Sequence, residues 1–241
     1  MKESILSVKN LTVKIGKGRI VDDLSFDVEK GDVLAIIGPN GAGKTTLFKA
    51  LLGIIPYEGE AKWRPGIKIG YVPQRMEIET DIPLTVFEFL KLRESKNFSK
   101  ERAVEELKKV SLPEGILKAG LGEISVGQRQ RILIAWALLG DPDVLLFDEP
   151  TADIDVHGQE SIYQLLYHLQ DKFELTIILI SHDLSIVYKY AEKVLCLNHK
   201  QICFGLPDEA MKPEQINKLY ASERGFYHHN HDEHNHDEHH H

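Results

Sequence analysis

The run Gly38-Pro-Asn-Gly-Ala-Gly-Lys44-Thr45-Thr46 constrains the fold more than any other stretch of this chain. It follows a wholly apolar segment, Val-Leu-Ala-Ile-Ile at 33–37, bounded by Gly31 and Gly38. Such a segment suits a strand buried on both faces, and so a sheet covered on two sides. Residues 45–52 read as a helix that Gly53 ends. A glycine-rich loop between a buried strand and a helix gathers backbone N–H groups at a helix N-terminus, where an anion is stabilised. The glycines let the backbone approach that anion with no Cβ in the way. Lys44 supplies a point charge for the β- and γ-phosphates of a nucleotide, and Thr45 a hydroxyl for Mg²⁺. Gly38, Pro39, Asn40, Gly41, Ala42, Gly43, Lys44, Thr45 and Thr46 are therefore the candidate nucleotide-binding residues.

Two other apolar segments end in polar residues. Val144-Leu-Leu-Phe147 runs into Asp148-Glu149-Pro150, and residues 176–180 run into Ser181-His182-Asp183. A helical pattern over 156–172 lies between them, so the order strand–helix–strand implies parallel strands with right-handed crossovers. Open parallel sheets present the C-terminal ends of their strands to the ligand crevice. Beside a phosphate loop, Asp148 is a candidate Mg²⁺ ligand, Glu149 a candidate base for the attacking water, and His182 a candidate γ-phosphate contact.

The rest of the chain fits an α/β domain. Residues 5–15 and 20–28 read as strands joined at Gly16 and Gly18, and 60–63 and 67–72 as short strands. Residues 85–93, 99–110 and 125–139 are helical by pattern, with Ser99 as an N-cap, and this block reads as a helical insert at about 75–140. Residues 193–198 and 201–205 read as a closing hairpin, and 208–220 as terminal helices. A chain of 241 residues with 42% hydrophobic content can bury one full core. A net charge of −8, with no Lys/Arg run of five, speaks against a nucleic-acid surface. The longest apolar run, 132–140, falls short of the roughly 18 residues a membrane span needs. The N-terminus opens directly into a strand pattern and lacks the apolar core of a signal peptide. Cys196 and Cys203 read as two thiols in a reducing compartment, in the role of small buried hydrophobes.

The phosphate loop, the Asp148-Glu149 strand end and the His182 strand end, in this order, resemble the ATPases of ABC transporters. Other marks of that family can then be matched. Gln74, in Gly70-Tyr-Val-Pro-Gln74-Arg75, looks like the family's glutamine loop, which contacts Mg²⁺ or the lytic water. Ile124-Ser125-Val126-Gly127-Gln128 resembles the signature motif Leu-Ser-Gly-Gly-Gln, with Ser125, Gly127 and Gln128 as nucleotide contacts. Thr151-Ala-Asp-Ile-Asp155 resembles the loop that crosses the dimer interface, with Asp155 as its acidic residue. The resemblance covers about residues 5–205. It implies an α/β P-loop fold with an N-terminal antiparallel β-subdomain and a helical insert. It also implies ATP and Mg²⁺ as cofactors, and a head-to-tail homodimer in which each loop meets the partner's signature. Integral-membrane permease subunits, a metal-binding receptor reached through them, and a peripheral position on the cytoplasmic face of the membrane complete the picture.

Two positions depart from the family pattern. Val126 replaces a signature glycine and would be disfavoured if that position needs a positive φ. Ile15 stands where an aromatic usually stacks on adenine, so the base loses its ring–ring contact. A narrower resemblance, to ATPases of zinc and manganese importers, rests on Ile69-Gly-Tyr-Val-Pro-Gln-Arg75 and Ile82-Pro-Leu-Thr-Val86. Val194-Leu-Cys-Leu-Asn-His199, Asp155-Val-His-Gly-Gln159 and the histidine-rich end after Gly225-Phe-Tyr227 are similar to the zinc branch. A manganese or iron importer ATPase is the alternative within the class. A soluble ABC-type ATPase of cofactor assembly is the alternative outside it; the DNA-repair type would need long heptad segments, which are absent.

On this reading an ATP-binding domain spans 1–225 and a histidine-rich tail 226–241. In the tail, His229-Asn-His-Asp-Glu233 repeats at once as His234-Asn-His-Asp-Glu238, with no apolar residue to pack a core. His228, His229, His231, His234, His236, His239, His240 and His241 are candidate Zn²⁺ ligands, since imidazoles interleaved with carboxylates suit that ion. His157, His168 and His182 show no metal-ligand spacing.

Overall fold

The structure is a computed structural model that describes residues 3–74, 83–93, 98–150, 154 and 156–224. Two sheets organise it. In the smaller, β1 (Ser4–Ile15), β2 (Gly18–Glu29) and β4 (Glu58–Trp63) pair antiparallel in the order β2-β1-β4. In the larger, β3 (Val33–Ile37), β5 (Ile69–Val72), β6 (Val144–Asp148), β7 (Thr176–Ile180), β8 (Lys193–Asn198) and β9 (Lys200–Gly205) run in the order β5-β6-β7-β3-β8-β9. All pairings within it are parallel except the β8–β9 hairpin.

Every residue of β3, β6 and β7 is buried, which is why these strands read as apolar runs, with only Thr176 at the start of β7 and Asp148 at the end of β6 polar. Their side chains alternate between two cores. Val33, Ala35 and Ile37 join the core beneath the helical block, while Leu34 and Ile36 join the core shared with the antiparallel sheet. The second core also takes Leu47 and Phe48 of α1 (Lys44–Leu51), so the helix after the loop is bolted to the sheet under it.

The helical block contains α2 (Val86–Lys91), α3 (Lys100–Lys109), a 3₁₀ turn (Glu114–Lys118) and α4 (Val126–Leu138). Thr85 and Ser99 cap α2 and α3, each accepting a hydrogen bond from the N–H three residues on. Arg131 on α4 donates to Val110 O at 2.7 Å and to Ser161 Oγ at 2.7 Å. Ser161 lies on α5 (Val156–Phe173), so one half-buried guanidinium ties the block to the core. Helix α6 (Leu184–Tyr190) was not expected from the sequence. The expected terminal helical stretch is two helices, α7 (Pro207–Ala210) and α8 (Pro213–Arg224), separated just before Pro213.

The cysteines correct the reading of two free thiols. Cys196 and Cys203 face each other across the β8–β9 register, with Cα atoms 4.9 Å apart, and form a disulfide. Periodicity alone could not give this pairing, because it depends on where the hairpin turns. Cys196 is fully buried, as expected. Among the described residues no group of three or more His, Cys, Asp or Glu could hold a metal, and no helix is long and apolar enough to cross a membrane. Arg75, Ile82, Thr151, Asp155 and the histidine-rich tail lie outside the described residues.

Candidate functional site

The C-terminal ends of β3, β6 and β7 converge on one face, and the loop after β3 forms its floor. Two glycines there are demanded by the chain's own packing. Gly38 has φ +156° and Gly43 φ +98°, and a Cβ at either would meet backbone oxygen: Leu197 O at 1.9 Å or Ile20 O at 2.7 Å. The β8–β9 turn supports the loop from below, since His199 N donates to Ala42 O at 3.0 Å. Gly43 precedes α1 and supplies no side-chain cap, so the first N–H groups of that helix have no capping partner of that kind.

Lys44 is buried, and its ammonium donates to Gly38 O at 2.8 Å and Pro39 O at 3.0 Å. It also stands 3.9 Å from Glu149 Oε1. Ile20, Asn40, Gly41, Ala42, Gly43, Lys44, Thr45, Thr46, Gln74 and Glu149 line one cleft of about 380 Å³. The structure thus brings together, around one volume, residues drawn from the loop, the Gln74 segment and the end of β6.

The two adjacent carboxylates have opposite environments. Asp148 is buried; Thr45 Oγ1 donates to it at 3.1 Å and Tyr71 Oη at 3.4 Å. Burial holds its carboxyl above the usual carboxylate range despite those donors. The Tyr71 hydroxyl, half-buried beside this charge, is itself pushed up to about 12 and stays a donor. Glu149 receives Gln74 Nε2 at 2.7 Å on one oxygen and meets His182 Nε2 at 2.5 Å on the other. The hydrogen bond from His182 holds the Glu149 carboxyl below its usual range, with its charge and that of Lys44 helping. Glu149 also has φ +49°, a left-handed conformation uncommon for a non-glycine residue and one that costs it about 1 kcal/mol.

This oxygen set fits Mg²⁺. Thr45 offers a hydroxyl, Gln74 an amide oxygen and Asp148 a buried carboxylate whose charge is poorly solvated, which a hard cation would relieve. A second cavity of about 520 Å³ shares Asn40, Gln74 and Glu149 with the first and is otherwise lined by Gln159, Tyr163, Ser181, His182 and Asp183.

Ser125, Gly127 and Gln128 line neither cavity. They sit at the start of α4, where Ser125 and Gln128 form a capping box: Gln128 N donates to Ser125 Oγ at 3.2 Å and Ser125 N to Gln128 Oε1 at 3.0 Å. Val126 is the first residue of α4, so the position needs no positive φ and the valine is sterically at ease. Ile15 is exposed at the β1–β2 turn, and it is Ile20 that lines the nucleotide-sized cleft. Tyr71 was missed by sequence reasoning; its position one strand away from Asp148, inside the Gln74 segment, was the available signal.

Comparison with known proteins supports one family. A family model described as ABC transporter matches residues 21–152. A solved transporter described as of the metal-chelate type, in an inward-facing conformation, is 30% identical with a TM-score of 0.83, covering 91% of this chain and 89% of that one. CbiO1 of Clostridium perfringens, part of the ABC transporter complex CbiONQ, is 26% identical with a TM-score of 0.78, covering 92% and 96%. An ATP-binding cassette of an ABC transporter in its ADP conformation is 25% identical with a TM-score of 0.78, covering 90% and 98%.

Proposed function

Because the chain belongs to the ABC transporter ATP-binding family, we propose that it is the motor subunit of a metal-ion import system and that the ion is zinc. The fold is the α/β nucleotide-binding domain of that family, and the activity is ATP hydrolysis coupled to transport. The observation that carries the catalytic part is the arrangement of Gln74, Glu149 and His182, hydrogen-bonded in a row, with Glu149 at its centre 3.9 Å from the Lys44 ammonium.

On this reading the nucleotide phosphates take the place of the Gly38 and Pro39 carbonyls on Lys44 and accept the N–H groups of the loop. Thr45, Asp148 and the Gln74 amide oxygen would hold Mg²⁺, which when bound neutralises charge on the phosphate oxygens. Glu149, kept ionised by its neighbours, accepts a proton from the attacking water, and Gln74 fixes the carboxylate that does so. His182 steadies Glu149 and reaches the γ-phosphate side of the cleft. The start of α4, with Ser125, Gly127 and Gln128, together with Asp155, would complete the cleft of a second copy in a head-to-tail pair. Gly127 supports that reading, because a Cβ there would meet nothing within 4 Å in its own chain. Permease subunits would receive the closure at the cytoplasmic face of the membrane, with a metal-binding receptor delivering the ion.

The zinc assignment is supported by the segments at 69–75 and 82–86, by the histidine-rich tail, and by likeness to a transporter described as metal-chelate type. The tail histidines are proposed to bind Zn²⁺ reversibly, by gathering imidazoles from a chain with no apolar residue. Calorimetric zinc titration of the full chain and of a 1–227 truncation, at pH 7.5 and 5.5, tests this. Binding by the full chain alone, weakened at the lower pH as imidazoles protonate, is expected; equal binding by both would end the tail proposal.

The catalytic reading is tested by Glu149→Gln. ATP affinity should hold while turnover falls by about 10²-fold or more, the scale of general-base catalysis. ATP should then trap a dimer on size exclusion. Turnover at the parental rate would remove Glu149 from the role of base.

A further inference from the structure

His182 is 41% exposed in its side chain, so packing does little to hold the imidazole. Its direction must come from Glu149 and from its own backbone. That backbone is clamped on both sides by one hydroxyl. Ser181 Oγ accepts the Asp183 N–H at 3.1 Å across the histidine, and the same Oγ lies 3.1 Å from the Tyr163 hydroxyl. Asp183 in turn caps α6 by accepting from Ser185 N and Ile186 N. Both Tyr163 and Ser181 are buried, at 3% and 2% exposure, and both line the cavity that also holds Glu149 and His182.

Tyr163 stands on α5, and one helical turn earlier on the same face Gln159 Nε2 donates to Ile154 O at 2.9 Å. One face of α5 therefore holds the chain just after Glu149 at one end and the residue just before His182 at the other. A buried tyrosine hydroxyl ordinarily finds some partner. Here one partner is the atom that shapes the His182 turn.

We propose that Tyr163 is a positioning residue for ATP hydrolysis, whose hydroxyl fixes Ser181 and thereby holds the His182 imidazole on Glu149. The inference rests on the catalytic reading of Glu149 and His182 given above. The phenol touches neither nucleotide nor water in this role. In a buried setting its hydrogen bond is strengthened by the low dielectric and is costly to lose.

The test is steady-state hydrolysis by the full chain with Tyr163→Phe, Ser181→Ala, Ser181→Thr, His182→Ala and the double variant Tyr163→Phe/His182→Ala. Phenylalanine keeps the ring and the packing, so the fold should hold. Tyr163→Phe and Ser181→Ala should each lower kcat about tenfold, the worth of one such hydrogen bond, with KM for ATP nearly unchanged. Ser181→Thr, which keeps the hydroxyl, should restore most of kcat. In the His182→Ala background, Tyr163→Phe should have no further effect, because nothing remains to position. If His182→Ala lowers turnover strongly, leaving a measurable residual rate, but Tyr163→Phe runs at the parental kcat, the positioning role fails while the catalytic reading survives. The role also fails if Tyr163→Phe lowers the residual rate of His182→Ala by the factor it costs the parent, since that marks a general structural effect. His182→Ala at the parental rate would overturn both readings together.

Discussion

The chain begins two helices with glycine-bearing motifs, and it treats them in opposite ways. At the start of α1, Gly38 and Gly43 are enforced from within: a Cβ would strike Leu197 O or Ile20 O. At the start of α4, a Cβ at Gly127 would meet nothing within 4 Å in its own chain, and Val126 beside it is exposed. The caps differ likewise. Gly43 offers no side chain to the N–H groups of α1, whereas Ser125 and Gln128 cap α4 reciprocally. A helix end whose donors lack a cap is suited to an anion, while one that is already satisfied internally can be held in shape for an external surface. The first motif is a complete half of a site; constraints on the second must come from outside the chain.

The sharpest way to break this contrast is to put alanine at both glycines. Gly38→Ala should destabilise the domain by more than about 3 kcal/mol, because the Leu197 carbonyl belongs to the central sheet and cannot withdraw. Insoluble protein, or a thermal midpoint lowered by about 6–12 °C or more with no nucleotide binding, is the expected outcome. Gly127→Ala should leave the midpoint unchanged or raise it, by up to about 1 kcal/mol of helix propensity. Its ATP turnover should nevertheless fall at least tenfold if a partner's nucleotide must approach that backbone. Parental turnover in Gly127→Ala would mean that nothing approaches there.

A smaller effect separates the two carboxylates inside the first motif's cleft. The Asp148 carboxyl is raised by burial, so in the nucleotide-free protein its contribution to stability is present below its unfolded value and is lost as pH rises through the folded one. The Glu149 carboxyl is lowered, so its contribution is present above the unfolded value and is lost as pH falls through the folded one. Asp148→Asn should therefore raise the nucleotide-free midpoint at pH 7, by up to about 4 °C, the scale of 1 kcal/mol in a domain of this size. It should lose most Mg²⁺-dependent nucleotide binding at the same time. A midpoint scan from pH 4 to 8 checks the sign: the gain should shrink toward the acid end, where Asp148 is protonated in the parent as well.

The same contrast explains what was legible in the sequence. Strands β3, β6 and β7 were readable because burial on both faces makes all their residues apolar but Asp148 at the end of β6 and Thr176 at the start of β7. The loop was readable because its spacing of glycines, Lys44 and Thr45 is itself the pattern that phosphate binding needs, although the atoms that enforce Gly38 and Gly43 belong to distant segments. Helix α6 carried a readable start in Asp183 and Ser185, but its short, mixed pattern hid it. Tyr163 and the Cys196–Cys203 pair were not readable, because their roles depend on which atoms distant segments bring together: a hydroxyl 18 residues away in one case, the register of a hairpin in the other. Local rules give the site's floor, and tertiary placement gives the residues that steady it.

The smallest expected effect falls on Val126, where the contrast can be sharpened further. As the first residue of α4, after the extended Ser125, it already lies in helical backbone, and glycine would gain no conformation that valine lacks. Val126→Gly should then only weaken the helix start, by under about 1 kcal/mol, with a midpoint shift of a few degrees at most. The capping box of Ser125 and Gln128 does not use the side chain at 126, so it should persist. ATP turnover should change less than about threefold, since 1.4 kcal/mol would be needed for a factor of ten. The measurement that decides is turnover against ATP concentration for parent and variant. A tenfold gain would show that the exposed valine obstructs a closely approaching partner surface, and the second motif would then be limited by what it presents rather than by how its backbone is held.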